Sequence, residues 1–224
     1  MVGIGVECDF VNKFLEKTIL FCFIAFGCLL FVYYNLLSKS QELQFEYLAQ
    51  SFLQGKLYLG IDNGTWLDAS YYKGYAYWPQ GVFPAILLTP VVFFFNDVIH
   101  QYHVQFFLNI LNVYLLYKIA QKITHNSITS LWLSLSYVFS SAYIVVGLYS
   151  WSWWFAQVVA TTALLLALYE YFYRQRWLLI GVYLACALAT RIDLLIASSF
   201  FLVSILVTKQ KPSNTSLSLS LNYF

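Results

Sequence analysis

Charge is what this sequence has least of. Only 10% of its 224 residues are Asp, Glu, Lys or Arg, against about 25% in a soluble globular domain. That scarcity excludes an ordinary water-exposed surface. The twelve basic residues are scattered, and no basic cluster marks a nucleic-acid partner. The four cysteines, Cys8, Cys22, Cys28 and Cys186, show no CxxC or metal-ligand spacing. Three of them lie inside apolar runs and read as small buried hydrophobes. No glycine-rich turn opens a βαβ unit, which argues against a soluble nucleotide-sugar transferase. His100 and His103 are three apart and could share a helical face, but no third metal ligand stands near them in sequence.

What the chain does have is apolar surface. It is 61% hydrophobic and 21% aromatic, with a mean hydropathy of +0.68. Several runs approach the roughly 20 apolar residues that cross a hydrocarbon core. The expected fold class is an all-α polytopic membrane protein, a helical bundle with a long extracytoplasmic first loop carrying juxtamembrane helices. Spans are expected at about 18–37, 104–123, 128–148, 154–173, 177–190 and 194–208, within one transmembrane domain over 1–208. The first run lacks a small-residue cleavage site and reads as a retained span. The tail over 209–224 is polar and low in complexity, and disorder is expected there.

The long external loop is expected over 38–101. It holds five of the ten carboxylates: Glu42, Glu46, Asp62, Asp68 and Asp97. In its first part Phe45, Leu48, Ala49 and Phe52 fall at i, i+3, i+4 and i+7, one apolar helical face. The spacing predicts a helix over 41–54, lying on a membrane surface and ended by Gly55. Glu42 and Glu46 are four apart and stack on one edge of it. Residues 55–82 read as loop, with an Asn63-Gly64-Thr65 glycosylation sequon. Phe83–Phe95 is apolar but short, and Pro90 interrupts it, which fits a re-entrant or interfacial segment.

Charge placement then sets the topology. If Phe83–Phe95 does not cross and the N-terminus is cytoplasmic, eight of twelve basic residues are inside: Lys13, Lys17, Lys118, Lys122, Arg174, Arg176, Lys209 and Lys211. If it does cross, only three are. The positive-inside rule favours the first arrangement. It gathers the carboxylates, the Tyr149–Trp154 aromatic turn and Arg191 at one external face.

These features resemble a known family. A first span followed by a long extracytoplasmic loop with surface helices and acidic residues is the layout of the GT-C membrane glycosyltransferases. Those include the protein O-mannosyltransferases, the aminoarabinose transferases and the RgtA/B/C/D-like group. The likeness is greatest to the last, whose pattern F-x-Y-L-A-x-x-F-L-x-G-x-L is met here by Phe45, Tyr47, Leu48, Ala49, Phe52, Leu53, Gly55 and Leu57. Asp68, Gly74, Tyr77 and the run Pro84-Ala85-Ile86-Leu87-Leu88-Thr89-Pro90 continue it. Members are usually longer, so the resemblance implies an N-terminal fragment. It also implies a sugar donor linked to polyprenyl phosphate, presented from membrane lipid, and a glycan, lipid or protein acceptor reached from outside.

On that resemblance a carboxylate takes the acceptor's proton, a contribution of about 10²–10⁴-fold. Asp68, Glu46 and Glu42 are the candidates, in that order; many relatives carry an Asp almost directly after the first span, where this chain offers only Glu42 and Glu46. Arg191, with Lys73 behind it, is the candidate for the donor phosphate, because a guanidinium fork matches phosphate oxygens. Tyr77, Trp78, Trp151 and Trp153 could stack on sugar faces. No cofactor is written into the residues, and a divalent metal stays an open alternative. Structural readings stand beside these. The glutamates also fit the wet edge of an interfacial helix, Asp68 a turn, Arg191 an end-of-helix ion pair with Asp193, and the tryptophans interface anchors. The rival class is a transporter component or a non-catalytic membrane subunit, which would carry polar groups near the bilayer midplane.

The topology predicts that Trp151 is external and Lys122 cytoplasmic. With the native cysteines replaced, Trp151→Cys is expected to react with an impermeant thiol reagent in intact cells, and Lys122→Cys only after permeabilisation. Labelling of the second variant from outside overturns the arrangement.

Overall fold

The computed structural model describes residues 18, 21, 24–34, 43–59, 68–95 and 98–210, the last four of them by backbone alone. The chain divides into one unit that ends at Ile192 and a second that starts at Asp193. The second contains helix α9, Leu195–Gln210.

Among its described residues the first unit is all-α apart from one small hairpin. Helix α1 covers 24–32 and closes in a π turn at Tyr33 and Tyr34. Helix α2, Gln44–Leu53, follows the predicted apolar spacing, and Gly55 ends it at φ +72°, a conformation glycine adopts without strain. Segment 55–82, expected as loop, contains strands β1, Ser70–Tyr72, and β2, Tyr75–Tyr77. Tyr71 faces Ala76 across this antiparallel pair. Lys73 and Gly74 both have positive φ, 49° and 82°, the turn that matches the twist of a two-residue hairpin. Leu59 adds a bridge to Ala76.

Helix α3, Phe83–Phe95, takes the bounds expected of the short apolar segment. Pro90 removes one helical donor inside it. Just before Pro90, the Thr89 hydroxyl donates to the Ala85 carbonyl at 2.9 Å. Helix α4, Gln101–Thr124, is the longest, and His125 closes it in a left-handed conformation. Asn126 caps the next helix, accepting the N–H groups of Ile128 and Thr129 at 2.9 and 3.1 Å. The span expected at 128–148 is two helices, α5 (Ser127–Ser140) and α6 (Tyr143–Leu148). The break has a local cause. Ser141 is extended, and its hydroxyl accepts the Tyr143 N–H at 3.1 Å, starting a new helix. Helices α7, Ser152–Tyr173, and α8, Trp177–Thr190, complete the unit.

Side-chain contacts give the helix directions. Gln101 at the start of α4 bonds Ser150 just before α7, while Tyr173 at the end of α7 bonds the Lys118 carbonyl. So α4 and α7 run parallel, and the short connections make α5–α6 and α8 antiparallel to them. Phe31 packs on Phe139 and Tyr34 on Tyr149, which directs α1 along α5–α6. Trp151 and the start of α4 therefore share one end of the unit with Thr190. Lys118, Lys122, Arg174 and Arg176 share the other.

Among the described residues one helix, α7, is long and apolar enough to cross a membrane; α3, α8 and Ile192–Leu206 are apolar but shorter. Helix α4 is long enough, but Gln101, Gln105, Asn109 and Asn112 are buried along it. The largest core cluster joins α2, β2 and α3 to the start of α7 through Phe45, Leu48, Trp78, Leu88, Phe155 and Val159. Helices α2 and α3 and strand β2 are thus folded back onto the bundle.

Gly81 marks how closely. A Cβ there would fall against the carbonyls of Ala189 and Thr190, 2.6 Å from the latter. Backbone oxygens at the end of α8 cannot give way, so Gly81→Ala is expected to destabilise by about 1–3 kcal/mol, the usual cost of overpacking. A Cβ at Gly181 would meet no other described side chain or helix within 4 Å, so Gly181→Ala is expected to be neutral or stabilising by up to about 1 kcal/mol through helix propensity. Thermal unfolding of both variants in detergent checks the contrast.

Candidate functional site

The residues that converge lie at the end of the unit where α4 and α7 begin. Helix α2 crosses it. The Gln44 N–H donates to the Ser152 hydroxyl at 3.0 Å, fixing the start of α2 to the start of α7. That places Glu46 beside the start of α4. One Glu46 oxygen lies 2.9 Å from His100 Nδ1, and the other accepts the Gln101 N–H at 3.2 Å. The Glu46 side chain is 6% exposed and the His100 side chain 25% exposed. The carboxylate is therefore not the wet edge of a surface helix. The start of α4 covers the polar side of α2 while the core covers its apolar side.

The two histidines are positioned differently. His100 precedes α4, and its N–H donates to His103 Nδ1 at 3.0 Å, a reach-back that satisfies one free donor at the helix start. His103 Nδ1 thus carries a lone pair, not a proton. Burial, and then the neighbouring His100, hold the His103 pKa below the ordinary imidazole value, with Glu46 opposing. Burial, with the Glu46 charge second, raises the Tyr102 phenol. The rings of His100 and His103 are stacked and Tyr102 is tilted against both, with Tyr102 and His103 centroids 4.3 Å apart.

Trp78 links this group to the rest of the loop. Its ring meets Phe45, next to Glu46, and Trp153, each at 5.9 Å between centroids. Trp78 is buried, yet among the described residues its Nε1 has no hydrogen-bond partner, and neither end of the Gln80 amide nor Gln44 Oε1 has one. Gly81 then rests on the end of α8, where Arg191 follows Thr190 as a half-buried cap. Glu46, Trp78, Trp153 and Arg191 thus belong to one end of the bundle.

The other sequence candidates fall elsewhere. Asp68 is exposed in a turn at φ 72°, and among the described residues it has no hydrogen-bond or ionic partner. Lys73 is exposed at the hairpin tip, 5.3 Å from the Tyr72 ring. Tyr77 is half-buried on β2 near Tyr58. Trp151 is exposed beside Tyr149. Glu42 lies outside the described residues, as do Asp62, Asn63 and Asp97. The Asp68 and Glu46 carboxylates are not brought together by any contact. No three His, Cys, Asp or Glu side chains among the described residues form a metal-ligand set. Sequence reasoning does not reach His100 as an acid–base candidate, nor Gln101 as the residue whose N–H holds the Glu46 carboxylate. The available signal was a histidine opening a helix three residues before a second histidine.

Comparison with family models, with curated proteins and with solved structures returns no match.

The His103 geometry gives a pH prediction. Between its lowered folded value and the ordinary value of 6.5, the unfolded chain binds a proton that the folded chain does not. Stability is therefore expected to fall as pH drops through about 6.5 and to level off below the folded value. Protonation would also place a hydrogen at Nδ1, where the His100 N–H now donates. Melting temperatures across pH check this, and His103→Gln is expected to flatten that part of the profile. An unchanged slope in the variant contradicts it.

Proposed function

We propose that this chain is a polytopic membrane glycosyltransferase of GT-C type. It would move a sugar from a polyprenyl-phosphate donor to a glycan, lipid or protein acceptor outside the cell membrane. One observation carries the reading: a buried carboxylate paired with a partly exposed imidazole, a tryptophan with unpaired polar neighbours and an arginine gather at one end of the bundle. Four basic residues gather at the opposite end. The helix directions agree with the sequence arrangement in which Lys118, Lys122, Arg174 and Arg176 are cytoplasmic.

The chemistry suits these groups. A hydroxyl acceptor needs a proton acceptor as its oxygen bonds to the sugar. The leaving phosphate gains charge, and Arg191 can offer paired donors to its oxygens. Trp78 Nε1 and the Gln80 amide are buried donors and acceptors that sugar hydroxyls would satisfy. Bilayer hydrocarbon would cover the exposed apolar side chains of α3 and α4, including Phe93, Phe94, Phe107 and Ile110. No metal is needed in this scheme, and no described ligand set fits one.

The transporter reading calls for polar groups that line a path through the spans. Gln105 and Asn109 are polar and buried inside the bundle, but their NH2 groups are bonded to carbonyls at 146–149; Gln105 Oε1 and Asn112 Oδ1 are the buried polar atoms there without a partner among the described residues. The bonded NH2 groups serve the packing of α6.

The test uses the full chain in membranes, with polyprenyl-phosphate sugars radiolabelled in the sugar. Arg191→Gln is expected to raise the KM for donor tenfold or more, because the phosphate is charged before reaction. Asp68→Asn is expected to stay within a few-fold of wild type. Loss of transfer in Asp68→Asn returns the proton-accepting role to Asp68. No transfer from any such donor overturns the reading.

A further inference from the structure

We infer that His100, not a carboxylate, is the proton acceptor at this site, and that Glu46 is its positioning residue. The inference rests on the glycosyl-transfer reading for its reaction, but the pair itself is defined by geometry.

Both oxygens of Glu46 are already engaged, one by His100 Nδ1 and one by the Gln101 N–H. A carboxylate that is almost wholly buried and doubly bonded is poorly placed to meet an acceptor hydroxyl. Its hydrogen bond instead fixes the imidazole. The His103 N–H also faces the His100 side chain at the helix start, but it donates to the His100 carbonyl at 3.0 Å; an ionised carboxylate only accepts, so pairing with Glu46 requires His100 Nδ1 to carry the proton and donate it. In the neutral ring Nε2 then holds the lone pair. The ring is a quarter exposed where its partner is not. The buried member orients, and the more exposed member reacts, the usual division of labour in such pairs.

The step balances. The acceptor hydroxyl gives its proton to His100 Nε2 as its oxygen bonds to the anomeric carbon. The bond from that carbon to the phosphate oxygen breaks, and its electron pair leaves with the polyprenyl phosphate. Glu46 stays ionised and stabilises the imidazolium.

His103 supplies an internal contrast. Its Nδ1 accepts the His100 N–H, so its neutral form has the proton on Nε2. Two histidines three residues apart are therefore held in opposite tautomers. His125, exposed at the other end of α4, is a reference.

The chain has three histidines, so nitrogen-15 labelling of histidine alone gives three imidazoles to assign by substitution. The full chain is measured in detergent well above the ordinary imidazole range. His100 is expected to show its proton on Nδ1, and His103 on Nε2. In Glu46→Gln the Gln oxygen keeps the Gln101 N–H and its amide NH2 faces the ring, so His100 should switch to the Nε2 proton. His100→Asn keeps a residue that favours the position before a helix, and should lower sugar transfer by about 10²-fold or more at unchanged donor KM. Glu46→Gln should lower turnover as well, through the wrong tautomer.

A wild-type His100 with its proton on Nε2 overturns the pair, whatever the activity. The expected tautomer with full transfer in His100→Asn overturns the proton-accepting role and leaves the glycosyl-transfer reading standing. Absence of transfer by wild-type protein overturns that reading and this role together, while the tautomers still decide whether the pair exists.

Discussion

The structure depends on side-chain amides of α4 that answer backbone carbonyls of the segment after α6. That helix is only six residues long and ends at Leu148, and the chain turns before α7 begins. The carbonyls there have no helical donor ahead of them. Asn109 donates to Gly147 at 2.8 Å, Gln105 to Tyr149 at 2.8 Å and Gln101 to Ser150 at 2.8 Å. Left unmade, each such buried bond would cost about 1–3 kcal/mol. The same residues connect to the site. The Gln101 backbone holds Glu46, and Ser152 holds α2. The position of the carboxylate therefore follows from how α4 meets the turn before α7.

Much of the fold could be read from spacing. The apolar repeat of Phe45, Leu48 and Ala49 located α2, and the bounds of α3 and the starts of α7 and α8 follow from runs of apolar residues. Three features escaped that reading. The hairpin over 70–77 rests on a two-residue Lys-Gly turn between tyrosines, a weaker signal than Asn-Gly. The division of α5 from α6 comes from a serine hydroxyl competing with the helix at Ser141, which an apolar average over that run hides. Glu46 looked like the polar edge of a surface helix because what covers it starts 54 residues later at His100. Periodicity describes one helix at a time and is silent on such a partner.

The candidate site shows the same limit. Glu46 and Trp78 were legible as residue types in a loop rich in acids and aromatics. Asp68 continues the family-like pattern, yet it sits in an exposed turn. Burial separated Asp68 from Glu46, and burial is a property of the assembled bundle. His100 was weighed only as a metal ligand, since a histidine pair without a third ligand carries little chemical information until its neighbour is known. The hydrogen bond from Glu46 turns that pair from a metal question into an acid–base one.

The amides of α4 also bear on how the chain could be made. On the membrane reading, a helix with Gln101, Gln105, Asn109 and Asn112 along one side is a poor candidate for release into lipid by itself, because each amide would lose its water without a partner. The carbonyls that satisfy three of them are synthesised about forty residues later, at 147–150. Biogenesis would then treat α4, α5 and α6 as one insertion unit. The polar helix would wait at the translocation channel until the turn before α7 emerged, and enter the bilayer already paired.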